Sequence, residues 1–206
     1  MARPLKKFEQ QITLCSSGTP DLEKMIRLKW KLLLPKKSVH KTFNTKLQIM
    51  KTEIGIKSAN ASEIAKSLNR LMADEHVLYI KTRKAHWNVE GPDFLTIHLF
   101  FEEQYKQLEQ IIDDVAERIR TIGHYAEATL VGFLAETHLS EETREKNNSA
   151  GFIKLLLEDH ETIIIHLREN IERYNEEWKD AGSSDFITGL MKKHEKMAWM
   201  LRAHLK

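Results

Sequence analysis

One stretch of the chain constrains its fold more than any other. Phe101, Tyr105, Leu108, Ile112, Val115, Ile119 and Ile122 recur at spacings that alternate four and three. That is the period of a helix packed along its length against neighbours. A strand cannot bury such a set, because its side chains change face at every residue. Gly123 ends the pattern.

Three further segments carry related patterns. Asn60-Ala61-Ser62-Glu63 reads as a helix start, with Asn60 as cap and Glu63 three residues on. Ile64, Leu68, Leu71 and Leu78 then follow to about Trp87, where Gly91-Pro92 breaks the chain and Pro92 is placed to open the second helix. A third helix is expected from about Ala150 to Asp180, with Ile153, Leu157, His160, Ile164, Leu167, Ile171, Tyr174 and Trp178 inward. Ala181-Gly182-Ser183-Ser184 reads as a stop and a new cap. The last helix carries Ile187, Leu190, His194, Met197, Leu201 and Leu205. Between the pairs lies a long connection, residues 124–149, with a short helix over Ala128–Glu136. Strand signals are nearly absent. Two helix pairs joined by one long link predict an all-α, ferritin-like four-helix bundle whose crossover contains a short helix.

Charge divides the chain. Residues 1–49 hold 11 Lys+Arg against 3 Asp+Glu, and residues 50–206 hold 21 against 27. The expected organisation is therefore a basic, poorly patterned extension over 1–49 and a four-helix domain over 50–206. Three readings of the extension stand side by side: sequence upstream of a true start at Met50, a targeting segment, or an arm gripping nucleic acid. In the last, Lys6, Lys7, Lys24, Arg27, Lys29 and Lys31 neutralise phosphates. A single cysteine, Cys15, excludes a disulfide scaffold. No apolar run approaches the roughly 18 residues of a membrane span, and Met1–Gln10 lacks the apolar core of a secretory signal. A cytoplasmic protein without membrane partners is the expectation.

The second helix has another stripe. His98, Glu102, Asp113 and Glu117 share an arc of about 100°, away from the apolar seam. Imidazole and carboxylate together suit iron, manganese or zinc. His98 and Asp113 are 15 residues apart, about 22 Å along a helix, whereas ligand bonds are about 2 Å. One ion cannot bridge them within one helix. A two-fold axis pairing two such helices antiparallel would bring one half-site onto the other. A solvated charged face accounts for the same spacing, and both readings stand at this level.

A longer run carries more information. Lys84-Ala85-His86-Trp87-Asn88-Val89-Glu90-Gly91-Pro92-Asp93-Phe94, then His98, Phe101-Glu102-Glu103-Gln104-Tyr105 and Asp113-Asp114-Val115-Ala116-Glu117-Arg118, resembles the Dps family of starvation-induced DNA-binding mini-ferritins. His194-Glu195-Lys196-Met197-Ala198-Trp199-Met200-Leu201 resembles the family's end. The resemblance spans roughly residues 60–206. It implies a homo-oligomeric, twelve-subunit hollow shell storing ferric oxide. It implies ferroxidase centres at two-fold interfaces, where ferrous iron is oxidised, preferably by hydrogen peroxide, protecting DNA from oxidative damage. By motif position His86 and His98 are the histidine ligands, and Asp113 and Glu117 are carboxylates donated by a neighbouring subunit. Glu102 stands where the family usually has Asp, so its carboxylate reaches one methylene further. Trp87 resembles the aromatic beside the centre, or is a packing residue. Nucleoid association would follow if DNA is bound.

Other readings concern different residues. Glu75, His160 and His194 fall at inward positions and are candidates for an intrabundle metal site or for hydrogen-bonded core polar groups. Glu176, Glu177, Asp180 and Asp185 are candidates for an acidic inlet. His40, His76, His124, His138, His166 and His204 show no ligand-like spacing. The rival function is non-catalytic DNA compaction through the basic arm.

Overall fold

The structure, a computed structural model, describes residues 52–141 and 147–206. The basic extension, Cys15, His40 and Met50 lie outside the described residues. Five α-helices are present among the described residues: α1 (Ser58–Asn88), α2 (Phe94–Thr121), the short α3 (Leu130–Glu136), α4 (Ser149–Glu172) and α5 (Ala181–Ala203). No strand occurs among them; the only extended pairing is an isolated bridge between Glu90 and Asn148. No described helix is long and apolar enough to cross a membrane.

The helices form a four-helix bundle. α1 packs along α2 and α4 along α5. Tyr79 meets Tyr105 while His86 meets His98, so residue numbers rise on α1 as they fall on α2 and the pair is antiparallel. Glu161–Arg202 and Arg168–Glu195 make the same argument for α4 and α5. Leu68, Leu78, Phe101, Leu108, Phe152 and Met197 are fully buried between them.

The crossover rides along α1. The Asn69 side chain accepts from the Glu127 amide at 2.8 Å, Asp74 accepts from the His138 amide at 2.6 Å, and Lys81 Nζ donates to the Ser140 carbonyl at 3.1 Å. The Glu90 amide then donates to the Asn147 carbonyl at 2.7 Å, tying the α1–α2 turn to the start of α4. The link therefore travels the length of the bundle, as one-crossover connectivity requires.

Several local expectations need correction. α1 begins at Ser58, and Asn60 does not cap it. The Asn60 amide donates instead to the Trp178 carbonyl, joining the base of α1 to the chain beyond α4. Pro92 lies in the turn before α2, whose N-cap residue is Asp93. Gly123 does end α2: at φ +90° it lets the His124 amide reach the Ile119 carbonyl and its own amide reach Arg120, the Schellman arrangement. The inward face of α2 includes Gln104 and Ile111, while Tyr105 and Ile112 sit at its edge. α4 gives way at Arg173–Glu177 to one π-helical turn. α5 starts at Ala181, so Ala181–Ser184 is its first turn rather than a stop, and Asp180 is the cap, accepting from the Gly182 amide at 3.1 Å. Leu205 lies beyond α5 and is exposed.

Candidate metal centre

The α1–α2 turn folds the end of one helix back on the start of the next, and this juxtaposes two histidines. His86 Nδ1 lies 2.8 Å from the His98 carbonyl, and His98 Nδ1 lies 2.8 Å from the His86 carbonyl. A carbonyl only accepts, so both Nδ1 atoms carry protons and donate. Each Nε2 is thereby left as a lone pair, the arrangement that orients an imidazole for a metal. The rings stack at 3.8 Å with planes 22° apart, and His86 is buried.

Glu102 belongs to the same neighbourhood. One turn beyond His98, it pairs with Lys106 at 2.5 Å. The Lys106 hydrogen bond and charge hold its carboxyl below the usual range, with smaller help from His86 and His98. A carboxylate beside two imidazoles is a hard donor added to two borderline ones.

Asp113 and Glu117 are elsewhere. Both are solvent-exposed on the far half of α2, about 22 Å from His98 by helical rise. Among the described residues no three His, Cys, Asp or Glu side chains converge within one chain to hold an ion. The structure thus brings His86, His98 and Glu102 together and leaves Asp113 and Glu117 apart.

Around the histidines stands an aromatic wall, of which the sequence resemblance singles out only Trp87. Tyr105 meets the His86 ring edge-on at 5.3 Å, and Phe94 lies 5.1 Å from the His98 ring. The Arg83 guanidinium sits over Tyr79, Trp87 and Tyr105 and donates to the Tyr79 hydroxyl at 2.9 Å. Trp87 is 61% exposed, so it does not pack in this chain's own core. Glu102/Lys106 is an i,i+4 helix ion pair; Arg83 likewise has Tyr79 and Trp87 at i−4 and i+4 on α1, and only its contact with Tyr105 crosses to α2.

The other candidates separate by partner. Glu75, His194 and His160 are buried in a line, with His194 Nε2 at 2.9 Å from Glu75 Oε1 and its Nδ1 at 3.0 Å from His160 Nδ1. These contacts run in series instead of converging on a point. Of the acidic inlet candidates, Asp180 is buried against Arg118 at 3.1 Å. Glu176 pairs with Lys179 and Glu177 with Arg173, and Asp185 is exposed.

Known proteins share this arrangement of helices. Residues 65–206 match the family described as Ferritin-like domain. A low temperature-induced protein of Nostoc is 39% identical over 153 residues, 74% of this chain and 86% of that protein. The DNA protection during starvation protein 2 of Bacillus anthracis is 35% identical over 143 residues, 69% of this chain and 97% of that one. The crystal structure of the Dps protein of Vibrio cholerae O1, a member of a broad superfamily of ferritin-like diiron-carboxylate proteins, superposes with a TM-score of 0.71 at 31% identity, covering 75% of this chain and 96% of that one. With its one-crossover bundle and paired histidines at the α1–α2 turn, the chain belongs to the Dps branch of the ferritin-like family.

Proposed function

We propose that this chain is an iron-sequestering mini-ferritin that oxidises ferrous iron with hydrogen peroxide and stores ferric oxide in a hollow, twelve-subunit shell. The observation that carries the reading is the reciprocal His86–His98 lock, which leaves two oriented imidazole lone pairs beside the Glu102 carboxylate. His86, His98 and Glu102 are half of a ferroxidase centre. Asp113 and Glu117 of a second copy complete it across a two-fold axis, since they are too far away within one chain.

Each group has a separate task. The imidazoles suit ferrous iron, and the carboxylates hold the harder ferric product. Lys106 keeps Glu102 ionised, so its carboxylate is ready to bind without first losing a proton. Two ferrous ions give one electron each to one peroxide, whose O–O bond breaks with both oxygens reduced to the level of water. Two electrons delivered together release no hydroxyl radical, which is how iron removal protects DNA. Family membership and the DNA-protection relatives support this assignment.

The test follows ferric absorbance after peroxide is added to anaerobic, ferrous-loaded protein. Fast oxidation at about two irons per peroxide, lost in His98→Ala, is expected for a two-electron reaction on paired ions. Oxidation no faster than free iron in buffer would refute the ferroxidase reading. The charge of residues 1–49 favours a second role, DNA binding through that extension.

A further inference from the structure

The iron reading leaves a second pair of stacked histidines unused. His138, at the end of the crossover, and His166, on α4, have ring centroids 4.0 Å apart and planes 21° apart. The separation and tilt nearly repeat those of His86 and His98. Nothing in their spacing suggests this, because 27 residues and a change of element separate them.

The environment of His138 is built rather than incidental. Asp74, 2% exposed on α1, takes His138 Nδ1 at 2.9 Å on one oxygen. Its other oxygen accepts from the His138 amide at 2.6 Å and the Thr137 hydroxyl at 2.7 Å. A carboxylate holding one imidazole nitrogen fixes the ring and raises the basicity of the other nitrogen, as behind metal-ligating histidines. His166 is held more loosely, with Nδ1 3.7 Å from Glu169 Oε2.

Both rings open on a cavity of about 320 Å³ that Asp74 and Glu169 also line. Each imidazole side chain is about a third exposed, so an ion can reach it from solvent. Three cations border the same cavity, but each is near a carboxylate: Lys66 with Glu63 at 2.7 Å, Arg70 with Glu136 at 3.5 Å and Arg173 with Glu177 at 3.6 Å. Both imidazoles, with the Asp74 carboxylate behind His138, line this opening beside the neutral Ser67, Asn170 and Tyr174. That donor set favours a borderline divalent transition metal over an anion.

We propose that His138 and His166, with Asp74 positioning the first, form a second divalent-metal site in this cavity, distinct from the His86–His98 half-site. The ion takes two imidazole nitrogens from the protein and fills its other positions with water. Zinc is the probe of choice, since it accepts imidazole and imposes no geometry of its own. The inference does not depend on the iron reading.

The test uses full-length, chelator-stripped protein carrying His98→Ala and Asp113→Ala, which disables the proposed iron centre. Equilibrium dialysis against Zn²⁺ should show one ion per chain. Adding His138→Ala or His166→Ala should weaken that binding at least about tenfold, and Asp74→Asn about tenfold, the usual loss for an outer-shell partner. Circular dichroism checks that each variant is folded. No bound zinc in the parent, or equal affinity in both histidine variants, overturns the proposal. Should a variant fail to fold, anomalous diffraction from zinc-soaked crystals of the unsubstituted protein decides. A peak bonded to both rings supports the site, and a cavity without one overturns it. Iron oxidation by His138→Ala in an otherwise unaltered chain should match wild type, so the two sites fail independently.

Discussion

His160 and His194 show how a single buried side chain ties the bundle to pH. Burial holds the His160 imidazole well below its ordinary value of 6.5, and His194 beside it adds to the effect. His160 therefore stays neutral when folded and takes up a proton when unfolded. The unfolded chain binds more protons below pH 6.5, so stability is full above that value and falls as pH drops beneath it, until the folded group itself titrates. One pH unit in this window costs about 1.4 kcal/mol for one such group. Denaturant melts at pH 7.5 and 5.5 should differ, and His160→Gln should shrink the difference by about that amount. An unchanged difference would place the pH dependence elsewhere. Glu75 poses another problem. It is wholly buried, lies 2.9 Å from His194, and neither of its oxygens has a well-aligned hydrogen bond. Removing one partner leaves the other buried without it, and Glu75→Ala should lower stability by about 1–3 kcal/mol in the same melts.

At the scale of elements, the α4–α5 corner does the most with one residue. The π-helical turn ends at Trp178, Lys179 takes φ +54°, and Asp180 then caps α5 while bonding Ser183 and Arg118. Burial alone would raise this carboxyl; the Ser183 bonds and Arg118 outweigh it and hold it below the usual range. Its contribution is therefore complete above the ordinary carboxylate range and lost as pH falls through its lowered value. Asp180→Ala should cost about 1–3 kcal/mol at pH 7, from the cap and the charged hydrogen bonds together. The gap between variant and wild type should close in acid melts. This corner also marks where sequence reading stops. Long apolar periods made the four helices and their crossover legible, because burial of a stripe is a property of the element alone. Asp180 was read as an acidic inlet candidate, since a cap and a free surface acid look alike until Arg118 arrives from α2. The apolar seam places Tyr105 inward, yet the bundle buries Gln104 there and leaves Tyr105 at the edge. At the candidate centre, His98 and Glu102 share one helix stripe in the sequence, and His86 enters only through the family resemblance. The His138–His166 pair is not legible, because it joins elements far apart in sequence; Arg83 meets Tyr79 and Trp87 at i−4 and i+4 on α1, and only its contact with Tyr105 needs the fold.

For the whole molecule, one prediction concerns the extension and a second what one chain cannot do by itself. Residues 1–49 carry the positive excess and residues 50–206 the negative one. If the extension grips DNA, residues 1–206 should shift a duplex in a gel, and residues 50–206 should not at equal salt. Shifts by both would move the contact into the bundle. The shift by the full chain should weaken steeply with added salt, because each neutralised phosphate releases counterions. The second prediction tests the split centre. Shells of His98→Ala subunits lack an imidazole in every centre, and shells of Asp113→Ala subunits lack a carboxylate in every centre, so each should oxidise iron slowly. In mixed shells an interface joining one subunit of each kind has one centre with both defects and one with neither. If an equal mixture assembles at random, half the two-fold interfaces are of this kind, and about a quarter of all centres are whole. Reassembly of the two inactive proteins together should therefore restore about a quarter of the wild-type initial rate. Centres contained within single chains could not be rescued, because every chain in the mixture carries one defect. A mixture as slow as its parents, with shells of normal size, would place all the ligands in one subunit. A recovered rate would show that oxidation begins only where two copies meet.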